Sequence, residues 1–128
     1  MKLLLDTHTL LWFIADDPKL SAAAKTALVD SSNERWLSPI SLVEIALKVR
    51  LGKLKLSASY GTLFPAQLTL NRINLLPIEA RHVEPLTMLP MHHKDPFDRL
   101  IAATALVEPL RLVSVDAMFD AYGLTRLW

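Results

Sequence analysis

A parallel β-sheet with helices on both faces is the fold class this sequence predicts, and three observations carry it. Short apolar runs of strand length alternate with helical segments along the whole chain. An acid stands at three junctions of strand and helix, at Asp6, Glu44 and Asp116. The clearest helix opening lies in M-H-H-K-D-P-F-D-R-L-I-A-A-T-A, residues 91–105. There Asp95 is a good N-cap, Pro96 suits the first helical position, and Asp98 falls in the first turn. Leu100, Ile101, Thr104 and Ala105 continue at helical spacing, so one face can be buried.

Taken in order, Lys2–Leu5 reads as a short buried strand that Asp6 ends. Asp6 or Thr7 can cap the next helix, whose apolar positions are Leu10, Leu11, Phe13 and Ile14. Asp16-Asp17-Pro18 stops it. Leu20–Asp30 reads as a second helix with Ser21 as its cap. Ser31-Ser32-Asn33 is a loop. Arg35–Ser38 reads as a second strand. Ser41-Leu42-Val43-Glu44 matches the capping box S-x-x-E, which predicts a helix to about Leu51, with Gly52 as the residue past its end. The segment 57–71 reads as helical from about Thr62 despite Pro65. Asn74–Ile78 resembles a third strand, with Pro77 pointing to an edge or a strand end. Glu79–Leu89 reads as a helix that Pro85 disrupts. The helix opened at Asp95 runs to about Val107. Arg111–Ser114 is a fourth strand, Asp116–Tyr122 a short helix stopped by Gly123, and Leu124–Trp128 a fifth, edge strand.

The 128 residues suffice for one compact domain, residues 1–128, with a real core. Apolar residues make up 52% and mean hydropathy is +0.29, which points to a dense core or an apolar surface that meets a partner. With no cysteine, disulfides, thiolate metal sites and cysteine nucleophiles are excluded, which fits a reducing cytoplasm. The apolar start resembles a signal peptide, but Asp6 and His8 interrupt it and no A-x-A site follows. No stretch is long and apolar enough to span a membrane. The net charge of +1 names no partner. Setting Asp6, Glu44, Asp98 and Asp116 aside leaves 14 basic residues against nine acidic, an acidic pocket on a basic body. That distribution suits a phosphate backbone held around cations.

In an open parallel sheet, residues just past the carboxyl ends of the strands gather at one edge, where ligands bind. Asp6, Glu44 and Asp116 follow strands. The helix of Asp98 leads into the fourth strand, so its N-terminus lies at the same edge. Crowded carboxylates repel and take up protons unless a cation sits among them. Oxygen-only ligation suits Mg²⁺ or Mn²⁺, and the chemistry it points to is phosphodiester hydrolysis. Singly, Glu44, Asp98 and Asp116 also fit capping roles. Asp6 is harder to dismiss, because a carboxylate directly after a buried strand is costly to desolvate without a partner.

The pieces M-K-L-L-L-D-T-H, S-P-I-S-L-V-E-I, H-H-K-D-P-F-D-R-L-I-A-A-T-A and L-V-S-V-D-A-M-F, in that order, resemble the PIN domain family, and within it the VapC-type toxins of prokaryotic toxin–antitoxin pairs. The resemblance implies a three-layer α/β/α sandwich with a parallel sheet of four to five strands. It implies a Mg²⁺- or Mn²⁺-dependent endoribonuclease, frequent homodimers, and a small antitoxin occupying a groove beside the acids. By position, Asp6, Glu44, Asp98 and Asp116 are the acidic quartet. Asp6 and Asp98 would ligate metal directly, and Glu44 and Asp116 would bind a second metal or orient water. Ser114, two positions before the last acid, matches a hydroxyl residue common in the family. Thr7 and Ser41 would be supporting hydrogen bonders.

Around these, Asp95 reads as a cap before a metal ligand. Arg99 fits equally a group that steadies phosphate or a carboxylate and a surface ion pair. His92 and His93 read as a solvated loop, since no third zinc ligand follows at useful spacing. His8 and His82 read as lone histidines. Trp12, Phe13 and Trp36 read as core or interface. Lys48, Arg50, Lys53 and Lys55 cluster at a helix end, where they complement its dipole or touch a partner. A haloacid-dehalogenase-like phosphatase is disfavoured, because His8 stands where that family's D-x-D-x-T start needs its second Asp. A receiver domain is disfavoured by the lack of an acidic pair before the first helix. The alternative that keeps the fold is a non-catalytic PIN-like module that binds RNA or protein.

Overall fold

The computed structural model describes residues 1–128. Five strands form one sheet: β1 (Lys2–Leu5), β2 (Glu34–Leu37), β3 (Ile73–Leu75), β4 (Arg111–Val113) and β5 (Arg126–Leu127). Their order is β3-β2-β1-β4-β5, and every pairing is parallel. Strand β1 is central, with Leu5 opposite Leu37 on one side and Val113 on the other. All five strands therefore end at one edge, and Asp6 is the first residue past the middle of it.

The helices are α1 (Thr7–Ile14), α2 (Ala22–Val29), α3 (Pro39–Arg50), α4 (Tyr60–Leu63), α5 (Ala66–Leu70), α6 (Ala80–Val83) and α7 (Pro96–Val107). Short 3-10 segments cover Glu84–Thr87 and Ala117–Tyr122. The alternation of side chains along β1 divides the core in two. Leu3 and Leu5 pack with Leu10, Ala24, Leu28, Ile45, Phe64 and Leu68, drawn from α1 to α5. Leu4 packs on the opposite face with Ile101, Ala102 and Ala105 of α7 and with Phe119. Helices thus cover both faces, which makes the fold a three-layer α/β/α sandwich. No helix is long and apolar enough to cross a membrane.

The start of α3 corrects the sequence reading. The helix opens at Pro39, not Ser41, and its cap is Ser38, whose Oγ accepts the Ile40 N–H at 3.2 Å. Ser-Pro here works as Asp-Pro does at α7. A capping serine presents its oxygen to free N–H groups, and proline follows where no N–H is needed. Ser41 and Glu44 therefore lie inside the helix, both buried, and Glu44 is not a capping-box acid. Ser38→Ala is expected to cost about 1 kcal/mol of stability, measured as a lower urea midpoint with an unchanged slope.

Other departures are smaller. Segment 57–71 holds two short helices, α4 and α5, separated by the cis Phe64–Pro65 bond rather than one helix from Thr62. The helix expected from Glu79 is only α6, and with Pro85 the chain passes into 3-10 geometry over Glu84–Thr87. The short helix expected over Asp116–Tyr122 is also a 3-10 segment, Ala117–Tyr122, rather than an α-helix, closed by Gly123 at φ 79°.

Candidate active site

The four acids reach the carboxyl edge by separate routes. Asp6 caps α1: its Oδ1 accepts the Thr9 N–H at 2.8 Å. Its own N–H donates to Val113 O at 3.2 Å, and Thr9 Oγ1 donates to the same carbonyl at 2.8 Å. Asp6 is thereby fixed to the end of β4. Thr7 Oγ1 donates to Ser41 Oγ at 3.0 Å, which ties the start of α1 to α3. Glu44 sits one turn past Ser41 and is 4% exposed.

Glu44 is half satisfied. Its Oε2 pairs with Lys48 Nζ at 2.7 Å, while its buried Oε1 has no hydrogen-bond partner. A buried carboxylate oxygen without a donor is costly. It fits a place for a cation. The Glu44–Lys48 contact is an i,i+4 pair that the spacing E-x-x-x-K already contains.

Asp98 lies in the first turn of α7. Its carboxyl is pushed up to about 6, first by burial, then by the charges of Asp95, Glu44 and Asp116, with His93 opposing. These influences place Asp98 in electrostatic reach of two other members of the quartet. Asp95 serves as the cap of α7, its Oδ1 accepting the Phe97 N–H at 2.7 Å.

Asp116 caps the last 3-10 segment, with Oδ1 accepting the Met118 N–H at 2.9 Å. Ser114 Oγ accepts the Asp116 N–H at 3.0 Å, so the hydroxyl orients the backbone of the acid. Burial would raise the Asp116 carboxyl, but the hydrogen bonds from His93 and the Met118 N–H outweigh it and hold the group below its ordinary value.

His93 corrects the expectation of a solvated loop. It is 9% exposed, and its Nε2 lies 2.6 Å from Asp116 Oδ2. Nothing in H-H-K-D-P indicates this burial, because the partners are more than twenty residues away. Arg99 forms no surface ion pair. Its guanidinium donates to the carbonyls of Leu89 and Pro90, both at 2.9 Å, and more weakly to His93 O. It steadies the loop before α7.

The tightest grouping of possible metal ligands lies elsewhere. The ligand atoms of Glu79, His82 and Glu108 fall within 4.8 Å of one another, closer than any three of the quartet. Glu108 is at the far end of α7, about 15 Å from Asp98 by helix rise. The group is bonded within itself: the Glu79 N–H binds His82 Nδ1 at 3.0 Å, His82 Nε2 meets Glu108 Oε1 at 2.7 Å, and Arg81 pairs with Glu108 as well. These contacts hold the Glu108 carboxyl low, His82 most of all and then Arg81, against burial. His82, expected to be isolated, thus clamps α6 to the end of α7. Glu108 Oε1 is engaged by both His82 and Arg81, so the group serves as a clamp between two helices.

An apolar groove opens beside the acids, with a volume of about 630 Å³. Leu11, Trp12, Ile14, Leu54, Leu56 and Leu63 line it, and Lys48, Lys53 and Lys55 rim it. Thr7 and Lys48 belong both to this groove and to the acid rim.

The molecule is thus an α/β domain whose open parallel sheet carries carboxylates along its carboxyl edge. A family model for the PIN domain matches residues 3–124, and the chain belongs to the PIN domain family. Among curated proteins none matches the sequence. Solved structures share the fold at low identity. VapBC2 of Rickettsia felis, bound to a DNA fragment from their promoter, is 20% identical with a TM-score of 0.73, covering 98% of this chain and 97% of that one. VapBC-1 of nontypeable Haemophilus influenzae is 20% identical with a TM-score of 0.65, over 98% and 96% of the two chains. FitAcB of Neisseria gonorrhoeae is 21% identical with a TM-score of 0.64, again over 98% and 96%.

Proposed function

We propose that this chain is a divalent-metal-dependent endoribonuclease that acts as the toxin of a toxin–antitoxin pair. The observation that carries the reading is the rim itself. Glu44 offers a buried oxygen with no donor, and Asp98 is pushed toward protonation first by burial, then by Asp95, with Glu44 and Asp116 from other segments adding to it. Both are the marks of a site suited to a hard cation. Asp6 and Asp98 would hold the ion, with Glu44 and Asp116 completing or orienting its shell. Mg²⁺ or Mn²⁺ bound there supplies charge neutralisation for a phosphodiester and an acidified water. The protein's own contribution is orientation: Ser114 and His93 fix Asp116, and the Thr7–Ser41 bond fixes the spacing of α1 and α3.

The partner reading rests on the resemblance to VapC-type toxins and on the VapBC neighbours. The apolar groove beside Lys48 is the seat we assign to the antitoxin, and its three rim lysines suit a segment that carries acids. Val43, Leu47 and Leu51 form an exposed i, i+4, i+8 stripe on and just past α3, which supports a homodimer.

Two measurements test the proposal together. Expression of the chain alone is expected to arrest growth, and co-expression with the antitoxin to relieve it. The chain purified free of antitoxin is expected to cut RNA with Mn²⁺ or Mg²⁺ and not with EDTA. RNA bound but never cut under either ion would establish the alternative, a non-catalytic PIN-like binding module.

A further inference from the structure

Between the quartet and the rest of the molecule stands a side chain whose local sequence points to solvent. His93 makes three polar contacts with the last 3-10 segment and its cap. Its backbone N–H donates to Tyr122 Oη at 3.0 Å, its Nδ1 lies 2.9 Å from the same oxygen, and its Nε2 lies 2.6 Å from Asp116 Oδ2. These contacts form one consistent set. Tyr122 Oη accepts from the His93 backbone and donates its own proton to Nδ1, which leaves Nε2 to carry a proton toward Asp116. The ring is also stacked on Tyr122, with planes 17° apart, and rests against Phe119 with centroids 4.5 Å apart. Both its hydrogen bonding and its orientation are thus set by the segment that Asp116 caps.

The other side of His93 is tied to α7. Arg99, next to Asp98, donates to the carbonyls of Leu89 and Pro90 at 2.9 Å and to His93 O at 3.4 Å. Asp98 and Asp116 arrive from different segments, and no hydrogen bond joins them directly. The chain Arg99–His93–Asp116 is the link between their two backbones.

We propose that His93, held by Tyr122, is a positioning residue that fixes the Asp116 carboxylate against the α7 acids for cation binding. It acts through Asp116 and not on substrate. With Met118 N–H on Oδ1 and His93 on Oδ2, both Asp116 oxygens are oriented, and each keeps a lone pair for another partner. Groups that orient a ligating carboxylate are worth about 10–100-fold in metal affinity. The inference rests on the proposed cation site.

Its test is Mn²⁺ affinity, measured by calorimetry on the antitoxin-free chain without RNA. His93→Ala is expected to weaken Mn²⁺ binding about tenfold or more. His93→Gln, whose amide can reach Asp116, is expected to restore most of it. Tyr122→Phe keeps the ring and removes the hydroxyl, and is expected to fall between them. Glu108→Gln, which loosens the far end of α7, is expected to lower the melting temperature and leave Mn²⁺ affinity unchanged. Wild-type affinity in both His93→Ala and Tyr122→Phe would overturn the proposal. If His93→Ala does not fold, unchanged affinity in Tyr122→Phe alone overturns it. A wild-type chain that binds no Mn²⁺ refutes the cation site, and this inference with it; Mn²⁺ bound equally by every variant refutes only the role of His93.

Discussion

Asp98→Asn is expected to cut metal-dependent RNA cleavage on the order of a thousandfold, about 4 kcal/mol of lost transition-state stabilisation, while making the metal-free protein more stable. The two effects have one cause. Burial and the charges of Asp95, Glu44 and Asp116 raise the Asp98 carboxyl from 3.8 to about 6. A raised carboxyl means that ionisation is penalised in the folded state. Its contribution to stability is full below about pH 4 and is lost as pH rises through about 6. Asparagine cannot ionise, so at pH 7 it escapes the penalty. Allowing for solvent screening of a partly exposed group, the gain is about 1–2 kcal/mol. For a chain of this size that is a rise of about 4–8 °C in melting temperature. Cleavage at the wild-type rate, or a lower melting temperature without metal, would contradict the role assigned to Asp98.

Mn²⁺ is expected to stabilise the wild-type protein by about 2.7 kcal/mol at a hundred times its dissociation constant, and far less at pH 4.5 than at pH 7. An ion among the carboxylates competes with protons for the same oxygens, so acid removes its advantage. The Asp98 carboxyl, at about 6, sets the pH window over which the effect emerges. Thermal melts with Mn²⁺ and with EDTA at the two pH values measure it. In Asp98→Asn the Mn²⁺ shift should largely vanish at pH 7. A melting temperature indifferent to Mn²⁺ at pH 7 would show that these acids share no ion.

Much of this architecture is legible in the residue pattern, for reasons that differ by element. Strands β1 and β4 are short and, past a basic first residue, apolar on both faces, as buried parallel strands must be. An acid comes soon after each. The opening of α7 is announced by Asp95-Pro96. The same device, Ser38-Pro39, opens α3, but the S-x-x-E that begins at Ser41 imitates a stronger signal and displaces the expected start. Segment 57–71 resists reading because it holds two helices of four and five residues, too short to show periodicity.

At the candidate site, local spacing reveals what one segment does alone. Asp95 caps its own helix, and Lys48 stands one turn from Glu44. His93 cannot be found this way. Its burial depends on Tyr122 and Phe119, which approach only when the last 3-10 segment folds over the loop before α7. Arg99 misleads for a related reason: a guanidinium beside an acid suggests an ion pair, but carbonyls of the preceding loop lie within its reach.

The central place of β1 has a consequence for how the molecule comes into being. One of the two neighbours of this strand is β4, more than a hundred residues later in the chain. The Asp6 N–H finds its acceptor only at Val113, and Asp116 lies beyond even that. A growing polypeptide therefore carries Asp6 and Glu44 for many residues of synthesis without a closed sheet to align them with Asp116. Any activity that needs all four acids arises only after β4 and Asp116 have emerged.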